Sequence, residues 1–225
     1  MTVLHLADET EAADLAAFLS RLLHYDRGAA VRLQAIGTAL AVFGRPPSFE
    51  VLVVRAVRLA KPYENGLDVT LDVTVSAGEF LEFLDERAAT AAVPAAVTGP
   101  PWAGVLPPRG GWRPEPGLPV PDTLRRTVTE AVAEFRSRTD ELAPDRRTRA
   151  ELDRIGRDIW SREIAETRLP VRAVHAAQSL GFLRPGAAAA DIGLFSSGAW
   201  LRLRTPYGSV VVRRAGLGTL GVSVR

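Results

Sequence analysis

Hydrophobic positions recur at two different periods along the chain, and the switches between them outline its elements. Residues 2–6 read as a short strand, and Asp8-Glu9-Thr10-Glu11 then has the form of a capping box opening a helix. Ala12, Leu15, Ala16, Leu19, Leu22 and Leu23 give that helix an apolar stripe at helical spacing. Four β-rich runs follow, 30–36, 39–43, 49–59 and 67–75, separated by Gly37, Gly44-Arg45-Pro46-Pro47 and Asn65-Gly66. In the last run Leu67, Val69, Leu71, Val73 and Val75 alternate with Asp68, Thr70, Asp72 and Thr74, which predicts one face on a core and one in water. Ser76 is placed to cap a second helix that packs Phe80, Leu81, Phe83 and Leu84 on the sheet.

Beyond residue 122 the period is again helical. Leu124, Val128, Val132 and Phe135 form one stripe; Pro144 interrupts it, Asp145 is expected to cap the next helix, and Leu152, Ile155, Ile159 and Ile164 carry an apolar face on to Thr167. Pro170 suits the first turn of a third helix ending near Gly181. Strands are expected at 191–195, 200–205 and 209–213, the last two around the turn Pro206-Tyr207-Gly208. The sum is an α+β chain. An N-terminal antiparallel sheet with two helices occupies 1–97, a Pro/Gly/Trp strap 98–122, and helices followed by a small β-hairpin 123–225.

The strap, "TGPPWAGVLPPRGGWRPEPGLPVPD", holds eight prolines and five glycines, a composition that argues against regular helix or sheet. It also holds Trp102 and Trp112, two of the four tryptophans, and a solvated indole gains nothing whereas a docked one buries about 200 Å². An ordered strap across the domains is therefore expected. Trp102, Arg109 and Trp112 are candidates for contact with a partner.

Composition excludes more than it selects. With no cysteine there are no disulfides, thiolate metal sites or cysteine nucleophiles. No apolar run is long enough to span a membrane, and the first residues lack a secretory pattern, so a cytoplasmic protein is expected. One lysine stands against 27 arginines, a bias that a GC-rich genome produces by itself. The charge distribution is more telling than the net +2: residues 1–100 carry 8 basic and 13 acidic side chains, 101–166 carry 12 of each, and from Arg168 onward 8 arginines face one acid, Asp191. Such a basic end calls for an acidic partner, either DNA, an acidic protein surface or the acidic N-terminal half itself. A homodimer is compatible with the same pattern.

One segment carries a resemblance. "REIAET" followed by "VRAVHAAQSLGFL" resembles the helix-turn-helix of bacterial transcription regulators, with Ile164 and Ala165 matching the first helix and Val174 and Leu180 the second. With the following hairpin it resembles a winged helix. The resemblance implies that Arg168, Arg172, His175 and Ser179, at offsets of 4, 3 and 4, present one face to base edges in a major groove. It implies further that Arg202, Arg204, Arg213 and Arg214 act as a wing on phosphate. Ala173, Ala176 and Ala177 equally fit a helix packed closely between neighbours, so both readings stay open. The overall texture also resembles two-part proteins of high-GC actinobacteria, which implies a lineage and no mechanism.

"GLGTLG", 216–221, has the letters of a dinucleotide fingerprint but is followed by four strand-like residues where that motif needs a helix, so no cofactor is expected. His5, His24 and His175 lie on separate elements without partners at ligand spacing, and no metal site is expected. Asp8, Glu9, Glu11 and Asp14 are explained by the dipole of the helix they begin, and no carboxylate pair suggests acid–base catalysis. The expected function is a non-enzymatic binding or regulatory protein, DNA-associated through its basic C-terminal region or an adaptor between proteins.

Overall fold

The computed structural model describes residues 2–186 and 188–214; the 216–221 glycine motif lies outside them. In chain order the elements are β1 (Val3–His5), α1 (Glu9–Tyr25), β2 (Ala30–Ile36), β3 (Ala39–Gly44), β4 (Leu52–Arg58), β5 (Thr70–Ser76) and α2 (Ala77–Glu82). A hairpin of β6 (Leu84–Asp85) and β7 (Thr90–Ala92) precedes the strap, which ends in β8 (Arg113–Glu115). Then come α3 (Pro121–Asp140), α4 (Arg149–Trp160), α5 (Val171–Ser179), β9 (Gly193–Ser197), β10 (Trp200–Thr205) and β11 (Gly208–Arg213). The chain is α+β, with the N-terminal sheet and the C-terminal helices and hairpin in the expected order.

Local chemistry accounts for the boundaries. The Asp8 carboxylate accepts from Glu11 N–H at 2.8 Å and starts α1, and the Ser76 hydroxyl accepts from Glu79 N–H and starts α2. Pro121 occupies the first turn of α3, where its missing N–H costs no bond.

Eight strands form one antiparallel sheet, ordered β5-β2-β3-β4-β11-β10-β9-β8; β1, β7 and β6 form a second, small one. The seam between the two parts of the chain is the β4–β11 pairing, in register Leu52↔Val211, Val53↔Val210 and Val54↔Ser209. The C-terminal hairpin thus continues the N-terminal sheet. The inner face presents Val31, Leu33, Leu40, Val42, Val53, Val57, Leu201, Leu203 and Val210 to α1, α2, α3 and α5 in one continuous core. Phe18 of α1 stacks on Phe182, just after α5, at 5.6 Å between ring centres.

Several boundaries differ from the sequence expectation. The helix expected to run to Thr167 ends at Trp160. "REIAET" is instead a tight loop in which Ala165 has φ +45°, Ile164 N–H donates to Leu169 O at 2.8 Å, and the Thr167 hydroxyl donates to Ile164 O at 2.6 Å. Ile159 and Ile164, like Ile164 and Leu169, are five positions apart, off the three- and four-residue spacing of one helical stripe; all three are buried because the loop folds inward. The cap of α4 is Thr148, not Asp145, which sits in a short 3₁₀ turn. Leu67 and Val69 are exposed before β5 begins, held out by a tight turn in which Asn65 and Asp68 bond each other's backbone. The proline-rich strap does contribute a strand: β8 is an edge strand, where Pro114 needs no partner on its outer side. Among the described residues no helix is long and apolar enough to cross a membrane.

Candidate binding site

The outer face of the large sheet is where the strap lies. Phe43, Leu52, Val54 and Val211 form a second, smaller apolar cluster there, covered by Trp102, Leu106, Trp112 and Trp200. Just before the strap Val97 N–H donates to Thr74 O at 2.9 Å, and the Arg32 guanidinium ties the strap to the sheet through Ala103 O at 2.6 Å; within the strap the Trp112 indole donates to Pro108 O at 3.0 Å. The two strap indoles are thereby held against the sheet, and a cavity opens beside each.

The cavity beside Trp102, of about 340 Å³, gathers three guanidiniums. Arg45 comes from the turn after β3, Arg172 from the first turn of α5, and Arg213 from the end of β11; Trp102 and Trp200 supply apolar walls. Glu50, at φ +51° after a 3₁₀ turn, is the single acid on the lining. Among the described residues none of these four charged groups forms a salt bridge. Arg172 Nε is buried without a hydrogen-bond partner, and the Arg213 guanidinium stands 5.5 Å from the Trp200 ring centre. A π face attracts a cation without pairing off its charge, so the Arg213 guanidinium remains available to an incoming anion.

The residues expected to read a major groove are dispersed. Arg168 is exposed on the loop before α5, and Ser179 is half-buried at the end of that helix. Ala173, Val174, Ala176 and Ala177 are in the core, as the packed-helix reading requires. His175 lies between two rings, stacked on Trp160 at 4.8 Å and edge-on to Phe49 at 5.0 Å. Burial holds its pKa below the ordinary imidazole value, favouring the neutral ring. It is one ring of a continuous aromatic row, His24–Tyr25–Phe49–His175–Trp160–Phe135, that links α1 to α3, α4 and α5.

Of the expected wing arginines, Arg202, Arg204 and Arg213 lie on the outer sheet face. Arg202 Nε donates to Ser209 Oγ at 3.0 Å, with its guanidinium 5.7 Å from the Trp112 ring centre; Arg204 is exposed over Phe195 at 4.7 Å. Arg214 pairs with Glu115 at 3.3 Å. Arg109 stands at the rim of the second cavity, close enough to Asp72 to favour its charged form, although Arg32 is the chief cause of that lowered pKa. The structure therefore brings together Arg172, Arg213 and Trp102 at one cavity and Arg202, Arg109 and Trp112 at another. Arg45, Glu50 and Trp200 had not been anticipated. Trp200 was traceable, lying two residues before Arg202 on the same strand face, whereas Arg45 looked like an ordinary turn residue.

The acidic start of α1 does more than complement a dipole. Arg55, buried in β4, donates to Glu11 at 3.0 Å, to Asp14 at 3.3 Å and to Tyr207 O at 2.8 Å, while Arg58 bonds Glu11 and Asp8. Arg184, from the C-terminal part, bonds Asp14 at 2.7 Å and lies 3.7 Å over the Tyr207 ring. Part of the basic end is thus docked on the acidic N-terminal half. Among the described residues no group of three or more His, Asp or Glu is placed to hold a metal ion.

Comparison with known families finds two adjoining matches, a domain of unknown function (DUF8010) over residues 1–104 and another (DUF8185) over residues 107–217. No curated protein matches the chain. Arg45, Glu50 and Trp102 fall in the first domain and Arg172, Trp200 and Arg213 in the second, so the cavity is walled by both.

Proposed function

Because the chain belongs to the two-part family that these adjoining domains define, and the arginine cavity lies where they meet, we propose that it is a non-enzymatic binding protein taking a phosphate-bearing, nucleotide-type ligand there. The carrying observation is the convergence of Arg45, Arg172 and Arg213, none ion-paired among the described residues, on a concave site walled by two indoles. Guanidiniums suit phosphate oxygens, and an indole suits the face of a base. Nucleic-acid association is retained from the sequence reading in a changed form. The contact moves from the helix face, where Trp160 and Phe49 cover His175, to a cavity that admits a free nucleotide or an unpaired base of a single strand.

Calorimetric titration with ADP, adenosine, a short single-stranded oligonucleotide and a mixed-sequence duplex tests the proposal. ADP should bind at least about tenfold more tightly than adenosine, the worth of one charge-assisted hydrogen bond, and Arg213→Ala should remove that preference. Affinity should fall as salt rises. Equal binding of ADP and adenosine, or no binding of any probe at low salt, would overturn it and leave an acidic protein surface as the partner of the basic region.

A further inference from the structure

The second cavity is a different kind of site. Its floor follows from strand register: Ala41 of β3 and Ala56 of β4 face each other directly, next to the taller pair Phe43 and Val54. Methyl groups beside bulky ones on the same sheet face leave a trough, of about 260 Å³, rather than a flat surface. A sheet face turned away from the core is ordinarily polar. Here Ile36, Ala39, Ala41 and Ala56 are apolar and reach the surface, and Trp112 with Pro107 and Pro108 of the strap forms the wall above them.

One charged group at this trough is half-buried and has no counter-charge among the described residues. Arg202 is half-buried on its lining, and only its Nε has a partner, the Ser209 hydroxyl. Its two terminal nitrogens donate to no described residue, and among those residues no carboxylate pairs with it. Burial, with Arg204 close by, disfavours its charged form. A guanidinium held partly out of water without a counter-charge costs free energy, and an entering carboxylate offsets that cost with bidentate hydrogen bonds.

We propose that this trough is a binding site for a small amphipathic carboxylate, a molecule with a flat apolar body and one anionic end. The body lies on Ala41 and Ala56 under Trp112, and the carboxylate meets Arg202. Few polar groups on a mostly apolar concave lining is the usual build of a small-molecule site. The proposal does not depend on the nucleotide reading: the two cavities share Val211 but use different arginines and different indoles.

The probe is 1-naphthoate, with 1-naphthalenemethanol as its neutral counterpart, titrated by calorimetry against the full chain. Naphthoate should saturate one site and bind about tenfold more tightly than the alcohol, the contribution of a charge-assisted pair. Arg202→Gln should abolish that preference while leaving alcohol binding in place, and Ala56→Trp, at an exposed position, should abolish both by filling the trough. Should Ala56→Trp fail to fold by circular dichroism, Ala39→Trp fills the same space from another exposed position. No saturable binding at millimolar naphthoate overturns the proposal. So does a preference for the acid that survives Arg202→Gln, or binding that persists in a folded trough-filling variant.

Discussion

Arg184 donates to the Asp14 carboxylate at 2.7 Å, a hydrogen bond between residues 170 positions apart. The same carboxylate accepts from Arg55, whose side chain is 7% exposed. A buried guanidinium that loses a counter-charge is strongly destabilising, so Asp14→Ala should cost about 2–3 kcal/mol, toward the lower end for breaking a buried pair because Asp14 itself is partly solvated. Urea denaturation checks this. Arg58→Ala, at a side chain 73% exposed, should leave the midpoint unchanged and serves as the control.

A second test concerns Gly208, the first residue of β11. A Cβ added there would lie 2.6 Å from the Phe182 ring, which is buried and stacked on Phe18. Gly208→Ala should therefore destabilise by about 1–3 kcal/mol through overpacking, with the backbone strain of its φ of +158° added. Gly198, in the β9–β10 turn at φ +54°, has open space around it, so Gly198→Ala should cost only the backbone strain of about 1–2 kcal/mol. The two are distinguished by Phe182→Leu, which should relieve the first variant and not the second.

His175 predicts a pH dependence. Its folded pKa is lowered by burial from about 6.5, so the unfolded chain binds the proton more readily than the folded one. Its contribution to stability is complete above the unfolded pKa and is lost as pH falls through the folded value. Comparing urea midpoints at about pH 7.5 and about pH 5.5, the wild type should lose more stability than His175→Gln. Equal losses would show that the imidazole does not titrate differently in the fold.

Arg172 should separate stability from binding. Its Nε is buried without a partner, so Arg172→Met removes an unsatisfied donor while keeping the apolar stem. We expect unchanged or raised stability, by up to about 1 kcal/mol, together with about tenfold weaker ADP binding. A large stability loss would instead make Arg172 a structural residue.

Much of the local structure was legible in the sequence because its causes are local. The cap at Asp8, the stripe from Ala12 to Leu22, the cap at Ser76 and the alternation from Leu71 to Val75 all act within a few residues, and all correspond to real elements. The seam was not legible, since nothing in the alternation of Val210 and Val212 names Val53 as their neighbour. The loop at Ile164 was misread because buried apolar residues look alike in a helix and in an inward-folded turn. At the site, Arg172 of α5 and the hairpin arginines were picked out through the winged-helix resemblance and the strap by its indoles. Their grouping into two cavities depends on the trough at Ala41 and Ala56, set by strand register, and on where the strap crosses the sheet, set by bonds such as that of Arg32 to Ala103 O.

The β4–β11 seam also bears on how such a chain can change over time. Separated at residues 105–106, either half would expose one unpaired strand edge, an invitation to aggregate, and the buried Arg55 would lose its bond to the Tyr207 carbonyl. A new second half would fit this sheet only if it brought a strand of matching register and a carbonyl for Arg55.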